Sequence, residues 1–132
     1  MPVKGQPGMR AVFLAAAELV DRGWTVCPTS RNAAGADLLV TNESCKRVYS
    51  IQVKSNAGGA NFWLVGQRAM KLSSPTHIYI FVNGAGGSQQ EYYVVPSTVV
   101  KRRVREDKGG FFFFTRDDAE KYKDNWQLLH KR

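Results

Sequence analysis

The sequence predicts one mixed α/β domain, with a helix ahead of three strands and a short helix and further strands behind them. Three observations predict it. Apolar residues recur at helical spacing in the first segment, apolar and polar residues alternate along Lys46 to Ser55, and Thr76 to Val82 is apolar on both faces. Elements in that order make an α/β arrangement. With 132 residues, 43% of them hydrophobic and including seven Phe, five Tyr and three Trp, the chain can supply one core. A domain of this length buries roughly two thirds of the surface its unfolded chain exposes, so it needs neither disulfide nor metal to fold. A metal bound here would serve chemistry.

After Met1 to Gly8, which holds two Pro and two Gly, Met9 to Arg22 carries Val12, Phe13, Ala16, Leu19 and Val20 at helical spacing. Gly23 is a natural stop. Trp24 to Thr29 reads as a strand, Ser30 to Gly35 as a turn-rich loop and Ala36 to Thr41 as a second strand, after which Asn42 to Cys45 turns the chain back. In the third strand, Lys46 to Ser55, alternation places Val48, Ser50, Gln52 and Lys54 on one face and Arg47, Tyr49, Ile51 and Val53 on the other. Asn56 to Ala60 is a Gly-rich connection to the apolar Phe62 to Val65, and Gly66 to Leu72 reads as a short helix before Pro75. Thr76 to Val82 has the pattern of a central strand, and Gly84 to Ser88 leads to the strand Glu91 to Val95. Ser97 caps a basic helix running to about Glu106. Phe111 to Phe114 forms a short strand or a hydrophobic anchor, and Thr115 with Asp118 begins a last helix. No repeat, linker or low-complexity tract divides the chain, so residues 9–95 form the core of a single domain and 96–132 a basic and aromatic extension.

The formal charge of +8 points to a polyanionic partner, most simply nucleic acid. Residues 1–96 hold nine Lys or Arg but only Glu18, Asp21, Asp37, Glu43 and Glu91 as acids, so each carboxylate needs an explanation. Cys27 and Cys45 make neither a disulfide framework nor a zinc signature, and two histidines are too few for a His-rich metal site. Reduced thiols and a cytoplasmic location are expected. Lys4 and Arg10 followed by Ala11 to Ala17 resemble the basic and apolar regions of a signal peptide, but Glu18, Asp21 and Arg22 cut that run short. No other stretch approaches the ~18 apolar residues of a membrane span.

Gly35-Ala36-Asp37, then Ile51-Gln52-Val53-Lys54 with Gln52 fifteen residues beyond Asp37, and the preceding Glu18 helix with Gly23-Trp24 together resemble the PD-(D/E)XK nuclease superfamily. Holliday-junction resolvases and several restriction and homing endonucleases belong to it. The resemblance covers about residues 9–95 and matches the branch whose second acidic position is Gln. It implies a restriction-endonuclease-like αβββαβ core, a central mixed β-sheet flanked by helices, acting as an endonuclease on DNA with Mg²⁺ or Mn²⁺. One chain offers one site, so cutting both strands calls for a homodimer.

Hydrolysing a phosphodiester requires a nucleophilic water at neutral pH, neutralisation of charge on the phosphate, and help for the departing alkoxide. Mg²⁺ takes oxygen ligands and keeps several waters, so Asp37, Gln52 and the backbone carbonyl of Val53 are a sufficient protein share. Lys54, about 6 to 7 Å along the same strand face from Gln52, has by resemblance the role of orienting the attacking water or steadying the phosphate. Glu18 is the further candidate, as a helix acid brought to the metal directly or through water. Gln52 in place of an acid removes one negative charge from the site. This opens an alternative, a catalytically inactive nuclease-fold module that binds nucleic acid or a protein partner. A third reading is a small basic structural protein whose Asp37 and Lys54 are surface residues only. Arg31, Ser55, Arg68 and Lys71 border the expected site, and Arg102 belongs to the basic run Lys101-Arg102-Arg103. These are the candidate DNA contacts, against the ordinary use of such residues as a solvated face. Trp63 can stack on a base or pack in the core. His77 and His130 carry no assigned role.

Overall fold

A computed structural model of the chain describes residues 7–30, 35–56 and 58–129. Helix α1 spans Pro7–Asp21, and its Ala11, Ala15 and Leu19, one turn apart, are fully buried. They make a narrow apolar stripe, two of its three residues small enough to let the helix lie close to a sheet. Gly23, at φ +90°, then lets its N–H reach the Val20 carbonyl at 2.9 Å and turns the chain out of the helix.

Strands β1 (Thr25–Pro28), β2 (Leu38–Thr41), β3 (Val48–Ser55), β4 (Phe62–Val65), β5 (His77–Asn83) and β6 (Glu91–Pro96) follow, then helix α2 (Ser97–Arg103), β7 (Arg105–Glu106), β8 (Phe112–Thr115) and α3 (Arg116–Ala119). Five of the strands form one mixed sheet in the order β1-β2-β3-β5-β6, parallel only between β3 and β5. Tyr49, Ile51 and Val53 of β3 pack with Leu38, Val40, Ile78, Ile80 and Val82 beneath α1. Ser50, Gln52 and Lys54 therefore face the other way, because successive strand residues point to opposite sides.

On that second face, a small antiparallel sheet in the order β4-β8-β7 joins α2 in covering Tyr79, Phe81, Tyr93 and Val95. Trp63 is its pillar. The indole is fully buried, donates to the Val82 carbonyl at 3.0 Å and lies 5.1 Å from the Phe81 ring. Core packing is thus its use, and no face remains for a base. Phe114 stacks on Phe81 at 4.9 Å, whereas Phe111 is 60% exposed. Leu39 and Val48, on the same face of the main sheet, stay exposed. The covering layer stops short of them and leaves the polar side of β2 and β3 open.

The elements follow the expected order, but details differ: Ser97 does not cap α2, its hydroxyl instead accepting from the Ser74 N–H and donating to the Ser74 carbonyl, each at 3.0 Å. Strand β2 begins at Leu38, so Asp37 stands just ahead of it. The segment expected as a helix over 66–72 is a 3-10 turn, Gln67–Met70. The basic helix ends at Arg103 and not near Glu106, because Arg105 and Glu106 pair with Phe113 and Phe112. Asp107 closes that hairpin, its Oδ1 accepting from the N–H groups of Gly109 and Phe111, each at 2.9 Å. Thr115 caps α3 as expected, accepting from the Asp118 N–H at 3.2 Å. The readings of Arg31, His130 and most of the N-terminal Pro/Gly segment lie outside the described residues. Cys27 and Cys45 are exposed and unpaired. Among the described residues, no helix is long and apolar enough to cross a membrane.

Candidate active site

Asp37 is positioned by its own backbone before its side chain does anything. Its N–H donates to the Ile51 carbonyl at 2.8 Å and its carbonyl accepts from Thr29 at 2.9 Å, which ties it between β3 and the end of β1. Thr29 adds a hydroxyl bond of 2.7 Å to the Ala36 carbonyl. The turn behind it needs Gly35, at φ +81°, where an added Cβ would lie 3.0 Å from Leu72.

The carboxylate crosses to β3. Its Oδ2 accepts from Gln52 Nε2 at 2.9 Å and from the Val53 N–H at 2.8 Å. Asp37 Oδ1 and Gln52 Oε1 take no hydrogen bond among the described residues. In an extended strand the N–H and C=O of one residue point to the same side. The Val53 carbonyl therefore leaves β3 toward Asp37, where β2 has not yet begun to pair. Lys54 stands beyond Gln52 on the same face. Its pKa is lowered because burial disfavours the ammonium, an effect the Asp37 carboxylate partly offsets.

Gln52 and Lys54 line a cleft of about 350 Å³ with Gly35 and Tyr79 on the sheet side and Gln67 and Arg68 of the 3-10 turn opposite, and Asp37 adjoins it through its bond to Gln52. Of the expected residues, Asp37, Gln52, Val53, Lys54 and Arg68 are brought together. Lys71 is exposed just past the 3-10 turn. Ser55 ends β3 beside Val82, with its side chain on the opposite face from Lys54. Arg102 lines a separate groove with Arg103 and Lys121, facing Asp117, Asp118 and Glu120. Those carboxylates offset its charge, which weakens its case as a DNA contact.

Glu18 is a correction. It pairs with Arg22 at 3.3 Å and acts electrostatically on Tyr92, while Arg22 lies over the Trp126 ring at 4.1 Å. Tyr92 belongs to the core beneath α1, on β6. With strands about 4.8 Å apart, β6 is roughly 14 Å from β2, and α1, which carries Glu18, packs on the sheet face opposite Gln52 and Lys54. The sequence reading had missed Tyr79 and Gln67. Tyr79 sits inside a fully buried strand, and only the parallel register that sets it beside Gln52 reveals its place.

Among the described residues, no three His, Cys, Asp or Glu gather into a metal-binding group. What the site offers is one carboxylate oxygen and one amide oxygen without protein partners among the described residues, beside the main-chain carbonyl of Val53. That hard-oxygen set fits Mg²⁺ or Mn²⁺ completed by water, and not a soft metal.

Neither a family model nor a curated protein matches the sequence. The tertiary structure has the restriction-endonuclease-like fold of the PD-(D/E)XK nucleases. It is similar to a bacterial homing endonuclease, with a TM-score of 0.64 and 18% identity over 97% of this chain and 91% of that one. It is also similar to a Holliday junction resolvase from the archaeal hyperthermophile Archaeoglobus fulgidus, with a TM-score of 0.59 and 11% identity over 87% of this chain and 88% of that one.

Proposed function

We propose that the chain is a divalent-metal-dependent endonuclease that hydrolyses DNA phosphodiester bonds. The observation that carries this reading is the Asp37 carboxylate, fastened by Gln52 and Val53 through one oxygen and open through the other, with Lys54 beside it in a cleft. Asp37 Oδ1, Gln52 Oε1 and the Val53 carbonyl would hold the cation. When bound, Mg²⁺ or Mn²⁺ supplies an acidified water and neutralises charge on the phosphate. Lys54 orients the attacking water or meets a phosphate oxygen, and Arg68 approaches the phosphate from the opposite wall. The fold's occurrence in a homing endonuclease and a junction resolvase supports a role in a mobile element, restriction, repair or recombination.

Cutting both strands takes two sites, hence a homodimer. The outer face of β4 and β8 supports one, since Phe62 and Leu64 are exposed there and Phe113 meets Phe62 edge to face at 6.0 Å.

The test incubates purified protein with linear, supercoiled, single-stranded and four-way-junction DNA in Mg²⁺, Mn²⁺ or EDTA. Asp37→Ala and Lys54→Ala variants of verified fold run beside it. Metal-dependent cleavage lost in both variants is the expected result. A second reading, a binding module without catalysis, is favoured by the single carboxylate at the site. Its signature is DNA binding with no cleavage under any metal.

A further inference from the structure

One polar group in the cleft has no part in that chemistry, the Tyr79 hydroxyl. Tyr79 pairs with Gln52 across the parallel register of β3 and β5, so their side chains rise next to each other from one face. The residue is only 4% exposed. Its ring stacks on Phe81 at 5.5 Å with 9° between the planes and is met edge-on by His77 at 5.5 Å. A ring enclosed in this way offers no face on which a base can stack.

Tyr79 lines the cleft, and its hydroxyl has no hydrogen-bond partner among the described residues. The ring is buried but the hydroxyl is not sealed from solvent, so it can donate to a ligand there. Burial also raises its pKa, which keeps the proton in place at neutral pH. Lys54, Gln67 and Arg68 line the same space. Two cations and two neutral donors around one cleft match the oxygens of a phosphate better than any uncharged group.

We propose that Tyr79 contacts substrate, its hydroxyl donating a hydrogen bond to a backbone phosphate of DNA lying in the cleft. The assignment rests on the nuclease reading and adds a residue outside the metal set. Because the contact is to backbone and not to a base, it steadies DNA of any sequence.

The experiment measures equilibrium binding of labelled duplex DNA, in EDTA and in Ca²⁺, to wild type, Tyr79→Phe and Tyr92→Phe. Tyr92 lies on the α1 face and serves as the control. Losing one hydrogen bond to a charged phosphate should weaken binding about tenfold or more in Tyr79→Phe, with no change in Tyr92→Phe. Equal affinity of wild type and Tyr79→Phe overturns the assignment and leaves the nuclease reading standing. No binding by wild type in either buffer overturns both. If Tyr79→Phe does not fold, ring-carbon NMR of the wild type decides. An assigned Tyr79 signal that shifts on adding DNA supports the contact, and one that stays fixed while Lys54 and Arg68 shift overturns it.

Discussion

At Asp37 one carboxylate oxygen takes two N–H bonds, and the nature of the neighbouring donor decides how the metal-free site behaves. Gln52 presents an amide N–H to Oδ2, so Asp37 is satisfied without a cation. Replacing that amide by a carboxylate turns a hydrogen bond into like-charge contact. Gln52→Glu should therefore lower the melting temperature in EDTA by on the order of 5 °C, and Mg²⁺ should restore it more fully than it stabilises wild type. Thermal melts of both proteins with and without Mg²⁺ check this, and equal Mg²⁺ responses would argue against metal binding between these residues. At this scale the sequence placed Asp37 at the start of one strand and Gln52 and Lys54 on one face of the next, because strand alternation and the end of a strand are local properties. It was misleading about Glu18, since helical spacing says which residues share a face but not which face of the sheet the helix covers.

Among the elements, α1 separates a structural residue from the one expected to be functional. Leu19 is fully buried against the sheet, and Leu19→Ala should cost about 2 to 5 kcal/mol by urea denaturation. Glu18→Gln breaks only a half-exposed pair with Arg22, worth about 0.3 to 0.5 kcal/mol, and should leave cleavage unchanged. Strand β6 holds a second such distinction in Glu91. Its carboxylate accepts from Lys123 and Arg116, each at 2.8 Å, and from Asn83 at 2.8 Å, tying the C-terminal segment to the main sheet. The Lys123 bond first, and the Asn83 bond next, lower its pKa. The unfolded value is about 4.3, so the stability Glu91 adds is complete above that pH and is lost as pH falls through the lower folded value. Wild type should exceed Glu91→Gln in stability by a constant margin near neutrality, and the margin should close in acid. Denaturation of both proteins from neutral to acid pH tests the sign.

For the whole molecule, the charge of +8 should appear as salt-dependent DNA binding. Each neutralised phosphate contributes about −0.9 to the slope of log K against log salt on duplex DNA. Arg68→Ala, in the cleft wall, should reduce the slope by about one, whereas Arg102→Ala, across a groove from three carboxylates, should change it little. Binding isotherms at several salt concentrations distinguish the two. What the sequence determined by itself was helix α1, the five strands of the main sheet, their order along the chain and the D…QxK strand ends, because periodicity, turn residues and motif spacing act over a few residues. Tertiary structure alone decided which groups meet. The parallel pairing of β3 with β5 put Tyr79 beside Gln52, the layer holding Trp63 and Phe114 left the β2–β3 side open, and the packing of α1 on the opposite face removed Glu18. Those outcomes depend on contacts between residues far apart in the chain, where the net burial of apolar surface selects one arrangement and local pattern carries no record of it.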